Sequence, residues 1–168
     1  MDSKQRLANL EKILNLHYET LDAARKRCAV ANDIFEKNAI NQRIREEVLP
    51  EIRQAQTNYW NFLETQTSSL MEVDAHNAIV EVVPEVELIV NNSSAKYPEE
   101  LMQKLHEILK KLNEPQTPAA AKLKAALPLI PGIVSYEVEF DTENSLTRVF
   151  ERIKQLFKKP IDEKKTQT

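Results

Sequence analysis

The chain has 168 residues, 42% hydrophobic and 29% charged, with a net charge of −3; this suits one or two globular units with their own cores and argues against a disordered chain. A single glycine, Gly132, argues against the glycine-rich loops that cradle nucleotide phosphates, and a single cysteine, Cys28, cannot form an internal disulfide. Basic and acidic residues number ten and ten up to Gln66, four and nine from Thr67 to Pro115, and nine and seven thereafter, so there is no concentrated basic stripe of the kind that binds DNA or RNA.

The N-terminus is amphipathic from its first turn, and no signal peptide is expected. From Ser3, a plausible N-cap, to about Cys28, the residues Leu7, Leu10, Leu14, His17, Leu21, Ala24 and Cys28 recur at spacings of three and four, the seam of a helix that packs on a neighbour over several turns. Asn32 or Asp33 starts a second helix running to about Glu64, with Ile40, Ile44, Val48, Ile52, Ala55, Tyr59, Phe62 and Leu63 on one side. Pro50 interrupts it, and a kink or break near Leu49 is expected. The two helices predict a long antiparallel hairpin over 1–66.

Thr67 to Ser69 form a polar joint, followed by a segment over 74–92 whose valines and isoleucines fit either a helix kinked at Pro84 or a strand, with length favouring the helix. Asn91 to Lys96 reads as a loop, and Pro98-Glu99-Glu100 opens a helix with Leu101, Leu105, Ile108, Leu109 and Leu112 on its apolar face. Thr117-Pro118 opens a short helix over 119–127, stopped by Pro128, and the PLIPG segment reads as a turn. Val134, Tyr136, Val138 and Phe140 alternate with polar residues, which predicts a half-buried strand over 133–140. Asp141 or Thr142 would cap a last helix bearing Leu146, Val149, Phe150, Ile153, Leu156 and Phe157, and the charged tail after Pro160 is expected to be loose.

No catalytic constellation emerges. His17 lies on the seam of the first helix, where a boundary histidine is the simpler reading, and His106-Glu107 lacks the second histidine of a zinc-protease helix because Lys110 stands there. Glu81, Glu85 and Glu87 read as a solvated acidic face. No catalytic residue, metal site or cofactor is expected, and the protein is expected not to be an enzyme.

Two stretches, INQRIREEVLPEIRQAQTNYWNFL from Ile40 to Leu63 and AAAKLKAALPLIPGIVSYEVEFDTENSLTRVF from Ala119 to Phe150, resemble small helical effector-associated proteins of bacteria, seen often in cyanobacteria, that accompany STAND NTPases and caspase-like effectors. The resemblance implies a cytoplasmic adaptor that recruits or regulates an effector in conflict-type signalling. Neither an NTPase nor a protease is present in this sequence, and the family supplies no catalytic residue to carry over.

The expected fold is mainly α: the long antiparallel hairpin kinked at Pro50, a smaller helical unit over 67–160 with one or two short β-strands, and a charged tail over 161–168. The expected function is a protein-interaction module whose partner is a STAND NTPase, an effector or a second copy of the chain. Tyr59, Trp60 and Phe62 are the candidate contact aromatics, since aromatic anchors dominate interface energetics, although they would serve equally as core. Tyr136 and Val138 are the candidates on the strand, which must pair within the chain or with another molecule. Two further readings remain. One is a peripheral membrane protein using the apolar run over 125–134 beside the basic last helix, and the other is a self-assembling structural protein built on an unpaired strand edge.

Overall fold

The computed structural model describes residues 2–93, 97–140 and 145–166, the side chains of 93 and 159–166 excepted. The chain divides into two compact units, Met1–Tyr59 and Trp60–Thr168. The division falls within a helix and so precedes the polar joint at Thr67.

The first unit is built on α1 (Ser3–Val30), α2 (Ile34–Arg43), a π-helical turn (Ile44–Val48) and the first turns of α3 (Leu49–Thr65). Asp2 rather than Ser3 caps α1, accepting a hydrogen bond from the Gln5 N–H at 2.7 Å. The seam is narrow: Leu7, Leu14 and Leu21 are buried, while Leu10, His17, Ala24 and Cys28 are half-buried between them. This is the seven-residue rhythm of a helix that meets one neighbour.

Asp33 caps α2 through the Phe35 N–H at 3.0 Å. Antiparallel pairing follows from the contacts between the helices. The Cys28 thiol lies 3.5 Å from Asn41 Oδ1 near the connection, His17 Nδ1 lies 3.4 Å from Glu51 Oε2 further along, and the Gln56 amide donates to the Tyr18 hydroxyl.

Pro50 acts one turn before itself. It carries no N–H and its ring crowds the carbonyl of residue 46, and the helix accommodates this by widening, so that the Leu49 N–H bonds to the Ile44 carbonyl five residues back. The helix runs on without a break, and most of the predicted face is kept, with Ile44, Val48, Ile52, Ala55, Tyr59 and Leu63 buried and Ile40 and Phe62 half-buried.

In the second unit α4 (Glu72–Ser93) packs against α5 (Glu99–Leu112), α6 (Ala119–Ala126) and α8 (Ser145–Thr166), and α7 (Ile130–Phe140) packs on α8. The ambiguous segment over 74–92 is therefore helical. Ala75, Ala78, Ile79, Val82, Val86 and Val90 form its buried face, and Pro84 sits inside it. The start of the predicted loop is helical, because α4 runs to Ser93; residues 94–96 lie outside the described residues. The α5 face matches the sequence pattern, with Leu101, Leu105, Ile108 and Leu112 buried.

The largest departure lies at 133–140, where the expected strand is the helix α7; no strand occurs among the described residues. Val134, Tyr136, Val138 and Phe140 alternate, but α7 buries Ile130, Pro131, Ile133, Val134, Ser135 and Glu137, a set that includes neighbours in sequence and leaves Tyr136 and Val138 half-buried. The strand reading turned Glu137 outward and Phe140 inward, whereas Glu137 is 0% and Phe140 59% exposed. A lone strand would also leave its backbone groups unpaired, a cost that a helix avoids by bonding to itself. With no strand there is no open edge, so the self-assembly reading loses its premise. The PLIPG turn is helical too, a 3-10 turn over Leu127–Leu129 leading into α7.

Leu127, Ile130, Ile133 and Val134 are at most 1% exposed, while Ala125 and Pro128 are exposed and Leu129 is half-buried. Among the basic residues of α8, Arg152 and Lys154 have partners within the second unit. Arg152 bridges to Glu85 at 2.8 Å and Glu81 at 3.8 Å, and Lys154 reaches Glu151 at 3.1 Å and lies 5.6 Å above the Trp60 ring. The backbone of α8 continues through Pro160 to Thr166, where a loose tail was expected, since a proline forfeits one ladder bond and leaves the flanking turns free to stay helical.

Two helix N-termini are capped by carboxylates distant in sequence. Glu72 of α4 accepts from the Ala119 and Ala120 N–H groups, the latter at 3.3 Å, where Pro118 at the N-cap supplies no side-chain bond. Glu137 of α7, fully buried, accepts from the Leu146 N–H at 3.2 Å, the Thr147 N–H at 2.6 Å and the Thr147 hydroxyl at 2.7 Å. The residues expected to cap the last helix, Asp141 and Thr142, lie outside the described residues.

The only glycine is placed where its freedom is not needed: Gly132 lies in α7, and no glycine has positive φ. Gln116 takes the left-handed position instead, at φ 62° between α5 and α6. A Cβ at Gly132 would meet the Lys104 amine at 2.9 Å, the movable end of a long side chain. Gly132→Ala is therefore expected to raise the unfolding free energy by about 0.5–1 kcal/mol through helix propensity; a lower urea midpoint for the variant would contradict this placement.

Candidate functional site

The helical register of α7 creates a surface feature that an extended chain could not. Tyr136 and Phe140, four residues apart, stand one above the other with ring centroids 4.5 Å apart and planes tilted by 36°. Tyr97, just before the Pro98 that opens α5, meets Tyr136 edge-on at 6.1 Å and 71°. The three rings form one row. Phe140 is mostly exposed and Tyr97 and Tyr136 are half-buried.

In a chain with one tryptophan, four tyrosines and five phenylalanines, three rings that stack on one another outside the core are an unusual use of scarce aromatic area. Aromatic pairs of this geometry contribute about 0.5–1.5 kcal/mol beyond area burial. The row is thus ordered before any partner arrives, which lowers the entropy lost on binding.

The residues singled out from the sequence are placed unevenly. Tyr59 and Trp60 are 0% exposed and serve as core in this conformation. Phe62 is half-buried on the last turns of α3. Tyr136 belongs to the row, but Val138, also half-buried, does not. Two residues along a strand share a face, whereas two residues along a helix lie nearly opposite, so the turn of α7 separates Val138 from Tyr136. Phe140 and Tyr97 were not singled out; the i, i+4 aromatic spacing of Tyr136 and Phe140 is the signal that a helical reading would have used.

Other exposed apolar residues occur among the described residues, including Ile13 and Leu16 on α1 and Met71 before α4. Val30, Ile34 and Phe35 sit around the α1–α2 connection, and Val73, Val80 and Leu88 form an outer stripe on α4 opposite its buried face. His76 and His106 are exposed. Among the described residues no cluster of three or more histidine, cysteine, aspartate or glutamate side chains is arranged to hold a metal ion, and no helix is long and apolar enough to cross a membrane. No family model, curated protein or solved structure matches the chain, so the likeness to effector-associated adaptors rests on the two quoted stretches of sequence.

Proposed function

We propose that this protein is a non-enzymatic interaction module, an adaptor that recruits or regulates an effector protein in bacterial conflict-type signalling, with the Tyr97–Tyr136–Phe140 row as its contact. The single observation that supports this reading is the row itself: preordered, aromatic, and led by an exposed phenylalanine. Interface energy concentrates in such anchors, which remove large apolar area from water while losing few rotatable bonds. The partner surface that suits it is an apolar pocket or groove with a polar rim that meets the tyrosine hydroxyls.

Phe140→Ala separates binding from folding, because a side chain this exposed contributes little to the core. The variant is expected to unfold within about 1 kcal/mol of the native chain. It is also expected to bind its partner about 30-fold more weakly, the consequence of losing a contact worth about 2 kcal/mol. Titration calorimetry on both chains reads the two effects together, and equal affinities would remove the row from the interface.

A further inference from the structure

We propose that the helical hairpin of the first unit pairs with a second copy of itself, through a groove between α1 and the α2–π-turn segment. The groove encloses about 410 Å³. Its apolar lining comes from Ala23 and Ala24 on α1 and from Ile40, Ile44 and Val48 on the facing helix. The alanines let another helix approach closely, as packing at 8–10 Å between axes requires.

The charge pattern selects the occupant. Arg27 and Arg43 lie in the half of the groove nearest the helix connection and Glu47 and Glu51 in the other half, with Arg43 and Glu47 meeting near its middle. Arg43 and Glu51 are separated along the helix by about two turns, roughly 12 Å. A two-fold axis through the middle of the groove, near Ala23, would set the arginines of one copy against the glutamates of the other at both ends. An isologous interface needs this self-complementarity.

The local ion pairs do not compete strongly. Arg43 bonds Glu47 at 3.1 Å and Arg27 bonds Glu36 at 3.6 Å, with the arginine side chains 77% and 75% exposed, and Glu51, 65% exposed, lies 3.4 Å from His17. Pairs so open to water contribute little, and their members can be shared with a partner copy. A hairpin offers only one internal seam, and closing two of them on each other yields a four-helix bundle with a second buried seam. This pairing uses a different surface from the aromatic row and does not depend on it.

Charge reversal on the full-length chain tests the proposal. Native protein is expected to sediment at twice the 19.4 kDa chain mass. The Arg27→Glu/Arg43→Glu and Glu47→Arg/Glu51→Arg variants each line the whole groove with one sign of charge, and each is expected at the single-chain mass with native helix content. Mixed together they present opposite signs at both ends, and the doubled mass is expected to return as a heterodimer.

A milder variant guards against misfolding. In a Cys28→Ser background, Ala23→Cys places a thiol beside the axis, and a short bismaleimide is expected to join two chains through it. Native protein that stays at the single-chain mass at every concentration would overturn the proposal. So would a doubled mass that survives both reversals, a groove occupied only by a different helical protein, or no cross-link through residue 23.

Discussion

Replacing Glu137 by leucine is expected to lower the unfolding free energy by about 3–5 kcal/mol, because three donors lose their acceptor inside the fold, each at a cost of about 1–3 kcal/mol, and the leucine returns part of this as apolar burial. The two backbone N–H groups and the Thr147 hydroxyl all converge on one carboxylate with 0% exposure, and water cannot replace it without entering the core. Those N–H groups open α8, whose Leu146, Val149, Phe150, Ile153 and Phe157 contribute much of the buried apolar surface of the second unit. The first casualty should therefore be the docking of α8, seen as loss of near-ultraviolet dichroism ahead of total helix content.

Glu137→Gln keeps the shape and one acceptor oxygen, and should recover more than half of the loss. Glu72 gives an internal comparison, since it caps α6 by the same means from an exposed position. Glu72→Ala should cost only about 1 kcal/mol, the usual value for an N-cap that water can partly replace. A Glu137→Leu chain as stable as native, measured in urea, would show that the carboxylate does not hold the helix.

The second large effect is at Trp60, where truncation to alanine is expected to cost about 3–5 kcal/mol. The indole is 0% exposed, and the Lys154 amine lies over its ring at 5.6 Å with only 11% of the lysine side chain exposed. Such a partly desolvated cation over an aromatic face contributes about 0.5–2 kcal/mol in addition to the area buried. Because Trp60 is the only tryptophan, its fluorescence reports this environment without labelling. Native emission should be blue-shifted and resistant to acrylamide, and should move to the red with unfolding. A tryptophan quenched freely in the native protein would instead return Trp60 to the list of contact residues.

The parts of the fold legible in the sequence are those where one period is written without competition. The leucines of α1 and α5 and the long face of α2 and α3 carry the helical spacing alone, and most of the residues buried there lie on the predicted faces, with Leu49, Gln56 and Trp60 added and Leu10, Ile40, Phe62 and Leu109 only half-buried. Asp33 was legible as a cap because it acts on its own helix. In α4 the valines served both readings, and length favoured the helix that forms.

In α7 two periods overlap, and the outcome turned on Glu137, a charged residue that buries itself to cap another helix. Tertiary packing overrode local β-propensity there, as it commonly does for short apolar segments. The carboxylate caps could not be seen beforehand because each acts on a helix other than its own. The aromatic row was half visible: the strand reading put Tyr136, Val138 and Phe140 on one face and chose Tyr136 and Val138 as contacts, whereas the rings that meet are Tyr136, Phe140 and Tyr97.

The proposed adaptor role is tested most directly by calorimetric titration of a purified partner, one recovered with the native chain from its own cells, into the native, Tyr136→Ala and Phe140→Ala proteins. The predicted result is saturable one-site binding to the native chain, weakened about 30-fold or more in both variants, with the melting curve of Phe140→Ala nearly unchanged. Undiminished binding to both variants, or no purified protein that binds the native chain at all, would contradict it.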